Sequence, residues 1–131
     1  MKRIFSVALL SLALISCGGQ QTEAQVGQYT TIEVDEVYDA GTAAKGEIVT
    51  ADIKIKNVGD YPLVIANIQA SCSCTVSDYD ENPIPPGETT IIRATVDTDR
   101  TGRGRVNKPI SITANTQPST TTVSILVNVI N

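Results

Sequence analysis

Val49, Ala51, Ile53 and Ile55 share one parity of the chain while Thr50, Asp52, Lys54 and Lys56 share the other. A period of two puts alternate side chains on opposite faces of an extended backbone, so this stretch predicts a half-buried β-strand. The same alternation returns with Ile92, Ala94 and Val96 inward within Thr89 to Asp97. It returns again at Ile110, Ile112 and Ala114, and at Val123, Ile125, Val127 and Val129 against Thr122, Ser124, Leu126 and Asn128. Between Pro62 and Ala70 apolar residues occupy both parities. Val64, Ala66, Ile68 and Ala70 are expected to face the core, and Leu63 and Ile65 imply cover on the second face or a place near an end of the sheet. Pro109, which cannot donate to a ladder, suggests an edge strand or a bulge.

The punctuation between these runs is that of tight turns. Asn57-Val58-Gly59-Asp60 predicts a turn in which Gly59 is suited to positive φ, and Pro85-Pro86-Gly87-Glu88 predicts a type II turn. Thr116 to Thr122 is polar and short enough for a hairpin connection. No repeat, heptad or amphipathic helix competes with this pattern. About seven strands over about 100 residues predict an all-β chain folded as an antiparallel, immunoglobulin-like β-sandwich.

The N-terminus follows a different pattern. Met1-Lys2-Arg3 is basic, Ile4 to Ile15 is a twelve-residue apolar run interrupted by Ser6 and Ser11, and Leu14-Ile15-Ser16-Cys17 ends in small residues and a cysteine. This order is that of a secretory signal, and the run is well short of the roughly 20 residues a spanning helix needs. Leu14-Ile15-Ser16-Cys17 resembles the lipobox of bacterial lipoproteins. The resemblance implies cleavage before Cys17, acylation of its thiol by palmitate-type chains, and a new N-terminus there. The organisation expected is a signal over 1–16, a lipidated terminus and flexible tether over 17–28, and one β-sandwich domain over 29–131. A flexible stretch such as Gly18 to Gln28 has a root-mean-square reach near 18 Å. Gly18 differs from the aspartate of an inner-membrane retention signal, so the resemblance favours the outer membrane, facing the periplasm.

Charge and composition narrow the chemistry. The formal net charge is −4, and loss of Lys2 and Arg3 takes it to about −6, which disfavours nucleic acid and anionic lipid surfaces. There is no histidine, and the one methionine is Met1, so a Ser-His-Asp triad, a Cys-His pair and a histidine-ligated zinc are excluded. Beyond the signal there is no Phe or Trp. Stacking platforms for sugars or bases are correspondingly thin. No cofactor and no small-molecule substrate are expected.

Cys72-Ser73-Cys74 is the constellation with reactive potential. Outside the cytoplasm, paired thiols are expected to be oxidised, metal-bound or buried. Residues i and i+2 of a strand lie about 6.6 to 6.8 Å apart at Cα, the upper limit for a disulfide, so an internal bridge needs a bend. A structural clamp, a redox pair, a Cu(I) site and intermolecular pairing all remain open. Arg100, Arg103, Arg105 and Lys108 form a basic spot, expected to be a solvated hairpin loop balanced by Asp97 and Asp99. Asp78-Tyr79-Asp80-Glu81 lacks the ligand spacing of a calcium loop and is expected to be solvated.

Asp39-Ala40-Gly41, Asn57 to Ile65, Ala70-Ser71-Cys72-Ser73-Cys74-Thr75, Ile84-Pro85-Pro86-Gly87-Glu88 and Gly102-Arg103-Gly104 occur in the order of an uncharacterised bacterial family of immunoglobulin-like domains, DUF1573. The resemblance spans about Tyr38 to Ile130, and members usually carry glycine where Ser73 stands. It implies the fold and brings no activity. The function expected is a non-enzymatic, lipid-anchored envelope module of interaction or scaffolding type. Its partners would be the membrane, through the lipid, and an envelope protein, met at an exposed sheet edge or at the loop end near Cys72. The alternative is a thiol redox or Cu(I)-binding protein using Cys72 and Cys74.

Overall fold

The computed structural model describes residues 27–71 and 74–131. Among them are eight strands: β1 Ile32–Val34, β2 Val37–Ala44, β3 Ile48–Asn57, β4 Ile65–Ala70, β5 Cys74–Asp78, β6 Thr89–Asp97, β7 Gly104–Ala114 and β8 Thr120–Ile130. They form two four-stranded sheets, β1-β3-β6-β5 and β2-β8-β7-β4. The one helical element described is a 3-10 turn, Thr98–Arg100. The fold is therefore the expected immunoglobulin-like sandwich, with one more strand than anticipated.

The extra strand comes from the beginning of the domain. β1 pairs antiparallel with β3, the chain crosses to the other sheet at Asp35-Glu36, and β2 then pairs parallel with β8. The sandwich is thus not wholly antiparallel, because a chain that continues in one direction while changing sheets runs the same way as the last strand. Ser124 N–H donates to Glu36 O at 2.8 Å, fixing the crossover. A bulge between Asp39 and Thr42 interrupts β2, where Gly41 takes φ +75° and its N–H reaches the Asp39 carboxylate at 2.9 Å.

The inward parities of β3, β6 and β8 are those the sequence predicts. Ala51, Ile53, Ile55, Ile92, Ala94, Val96, Val123, Ile125, Val127 and Val129 are buried, joined by Ile110, Ile112 and Ala114 of β7. This core is aliphatic, and each branched side chain withdrawn from water contributes roughly 1.5 to 3 kcal/mol. A one-residue slip of β8 would exchange buried Val123, Ile125, Val127 and Val129 for Thr122, Ser124, Leu126 and Asn128, three of them polar, which is why register is strongly specified.

Three local expectations are corrected. Val64 and Ala66 do not face the core; Leu63 and Ile65 do, and a bulge between Ile65 and Asn67 then switches parity so that Ile68 and Ala70 point inward. Pro109 is not on an edge, since β7 lies between β8 and β4. β4 has ended beside it: Ala70 pairs with Ile110, and Ser71 N–H donates to Pro109 O, so the proline's missing donor faces a strand terminus. Gly59 does not take positive φ. It is required for closeness instead, since a Cβ there would fall 2.2 Å from Thr30 Oγ1 and 2.5 Å from Thr31 N. Gly87 does adopt φ +84°, and Glu88 N–H donates to Pro85 O at 3.1 Å, as the predicted turn requires.

Candidate functional site

The two ends of the sandwich are built differently. At the end where the described chain begins, four segments are tied together by asparagine. Asn115 Nδ2 donates to Gln28 O at 3.1 Å and Pro62 O at 2.9 Å, and its Oδ1 accepts from Val64 N–H at 2.7 Å. Fully buried Asn57 donates through Nδ2 to Tyr61 O at 2.7 Å and Ile84 O at 2.9 Å, and accepts from the Thr30 hydroxyl at 2.6 Å. These amides satisfy carbonyls that the turns leave outside any ladder. Sequence reasoning read Asn57 as a turn residue only and passed over Asn115, whose partners lie up to 87 positions away and leave no local pattern.

At the opposite end, Lys45 Nζ donates to Thr98 O at 3.0 Å, Asp99 O at 3.1 Å and Thr101 O at 2.6 Å, closing the 3-10 turn. Buried Thr98 donates to Glu47 O at 2.7 Å. The basic spot lies here, and it is not a hairpin: β6 and β7 belong to different sheets, so Arg100 and Arg103 sit on a crossover. Asp97 accepts from Asp99 N–H at 3.0 Å and caps that turn. Arg105 is exposed on β7 opposite Asn128, and with Asp39 and Thr42 it borders a shallow depression over the β2 bulge. Lys108 lies further along β7, opposite Ile125.

Cys74 opens β5, opposite Val96, near this charged end. Its thiol is free and half-buried against the core, and accepts from the Ser71 hydroxyl at 3.3 Å. Cys72, Cys17, the signal segment and the tether through residue 26 lie outside the described residues. The acidic side chains Asp78, Asp80 and Glu81 are exposed, as expected of a solvated loop. Asp78 pairs in register with Arg93, and Asp80 Oδ1 accepts from Asn82 N–H at 2.9 Å. No group of three potential metal ligands occurs among the described residues.

On the outer face of the first sheet, Arg93 Nε donates to Asp52 Oδ1 at 2.8 Å and Nη2 to Oδ2 at 3.3 Å. The guanidinium hydrogen bond, helped by its charge, holds the Asp52 carboxyl below the usual carboxylate range, and Asp52 in turn raises Arg93.

A groove of about 370 Å³ runs along β1, bordered by Thr31 to Val34 on one side and by Thr116, Pro118 and Thr121 on the other. β1 has a neighbour on one side only. Val58 N–H donates to Thr31 O while Asn57 N–H turns away to Glu88 O. The alternation of an antiparallel ladder therefore points the backbone groups of Ile32 and Val34 outward.

A family model described as a protein of unknown function, DUF1573, matches residues 30–129. The chain belongs to this family. No curated protein matches the DUF1573 chain. Among solved structures, it is similar to a protein of unknown function from Porphyromonas gingivalis W83, with TM-score 0.68 and 27% identity, covering 79% of this chain and 49% of that one. It also resembles the ASH/PapD-like domain of human CEP192, with TM-score 0.58 and 13% identity, over 98% of this chain and 99% of that domain. The secreted serine protease VesC of Vibrio cholerae aligns with TM-score 0.62 and 10% identity, over 76% of this chain and 23% of the protease. The DUF1573 chain thus spans about half of the first relative and about a quarter of the protease. At these identities the human and Vibrio structures speak to fold alone.

Proposed function

We propose that this DUF1573 chain is a lipid-anchored module of the cell envelope that works by protein interaction rather than catalysis, held in the outer membrane through Cys17 and facing the periplasm. Support for the anchor comes from Leu14-Ile15-Ser16-Cys17 behind a basic, apolar leader. The single observation that carries the interaction is the one-sided pairing of β1 along a groove, because an unpaired strand edge accepts an extended partner segment through backbone hydrogen bonds. Several acyl chains would hold the module stably where one binds only marginally. In cells, Cys17→Ala is expected to leave the protein unprocessed or released from the sedimented envelope. Normal maturation and retention after carbonate washing would count against the anchor. For the contact surface, Ile32→Pro removes an outward donor and is expected to lower crosslinking to envelope proteins with the β-sheet circular dichroism intact.

A thiol function is the second reading, favoured by the free Cys74 thiol and the Ser71 hydroxyl that donates to it. Alkylation with and without reductant, read by intact mass, separates a clamp from a redox pair. A copper adduct lost in Cys74→Ser would establish a Cu(I) site.

A further inference from the structure

The end of the sandwich that receives the N-terminal chain is the one that exposes tyrosine, whereas the exposed apolar side chains of the opposite end are Ile48 and Ile130. Tyr29 is 53% exposed, Val58 45% and Tyr61 42%. Hydrogen bonds hold their segments together: Val58 and Gly59 N–H both reach Thr31 O, Asn57 Nδ2 reaches Tyr61 O, and Gly87 N–H reaches Asn57 O. The turns gathered there, 28–31, 58–62, 85–88 and 115–119, carry four prolines and just two charges, Asp60 and Glu88. The opposite end gathers Lys45, Glu47, Asp97, Asp99, Arg100 and Arg103.

We propose that the Tyr29, Val58 and Tyr61 end seats against the headgroup region of the bilayer in which Cys17 is anchored, a placement that rests on the lipid anchor proposed above. The chain from Cys17 enters the described domain beside Tyr29, with Gln28 eleven residues after the cysteine. Strands of 11 residues put the charged end roughly 35 Å further away. The point of entry therefore places the tyrosine end nearer the anchor than the charged end. Tyrosine is suited to that depth, with an apolar ring and a hydroxyl that stays wet. Few charges at this end limit repulsion between an acidic domain and anionic lipid. Anchoring supplies a high local concentration of lipid, so three side chains suffice for a contact too weak to bind without the anchor. The orientation turns the arginine crossover and Cys74 toward the aqueous compartment.

The chain has no tryptophan, so a single one reports depth. Natively lipidated full-length protein carrying Tyr61→Trp, or Ile48→Trp at the far end where Ile48 is 60% exposed, is reconstituted into phosphatidylethanolamine–phosphatidylglycerol vesicles with brominated acyl chains. Severalfold stronger quenching of the Tyr61→Trp protein than of the Ile48→Trp protein is expected. Equal or absent quenching in protein whose mass shows acyl groups on Cys17 overturns this orientation and leaves the anchor standing. A mass showing no acylation overturns both. A concentration-dependent blue shift of Tyr61→Trp without lipid overturns the bilayer as occupant in favour of a second copy.

Discussion

Asn57 is a fully buried amide beside a core of isoleucine, valine and alanine, and its side chain is committed to Thr30, Tyr61 and Ile84. Removing it strands two carbonyls and a hydroxyl, each worth about 1 to 3 kcal/mol when left unsatisfied in the interior. Asn57→Ala is expected to lower the free energy of unfolding by about 3 kcal/mol in urea titrations. Two glycines give a sharper contrast. Gly59→Ala places a methyl onto Thr30 and the Thr31 backbone and should cost about 2 to 3 kcal/mol. Gly87→Ala meets nothing within 4 Å but keeps φ +84°, and should cost about 1 to 2 kcal/mol. If the two substitutions cost the same, or in the reverse order, close approach is not what Gly59 provides. The sequence marks both positions as turns, but a turn pattern does not distinguish backbone freedom from lack of space, because the atoms that crowd Gly59 belong to residues 30 and 31.

At the scale of elements, alternation was legible wherever a strand buries one face, and β3, β6 and β8 follow it residue by residue. It misled where the backbone does something no side chain encodes. The bulge after Ile65 reverses parity within β4, and the parallel pairing of β2 with β8 depends on the crossover at Asp35-Glu36. Pro109 read as an edge because what makes it tolerable, the end of β4 at Ala70, belongs to another strand. β8 is central in its sheet, and Ile125 is fully buried. Ile125→Ala should therefore cost about 3 to 4 kcal/mol by calorimetry or urea unfolding.

The Asp52–Arg93 pair joins β3 to β6 on the exposed face. Its folded-state carboxyl lies below the unfolded value, so its small contribution is present above the ordinary carboxylate range and lost as pH falls through the folded value. The stability difference between the wild-type protein and Asp52→Asn should be largest near neutral pH in low salt, and should shrink with acid and with added salt. A difference that grows in acid would contradict the assignment.

For the whole molecule, asymmetry between the ends matters more than any pocket. Tyr29, Val58 and Tyr61 gather where the described chain begins, while the arginine crossover and Cys74 gather at the other end. The candidate site was partly legible in sequence. Cys74 and the basic spot are local patterns, whereas the groove beside β1 forms between segments more than 80 positions apart and has no local signature. Lys45, which holds the crossover that presents Arg100 and Arg103, reads in sequence as an ordinary surface cation.

The most direct test of the account is the intact mass of the protein extracted from its native membranes. A polypeptide beginning at Cys17 and heavier by the mass of its fatty acyl chains is the predicted result. A polypeptide that starts elsewhere, or that begins at an unmodified Cys17, would contradict it.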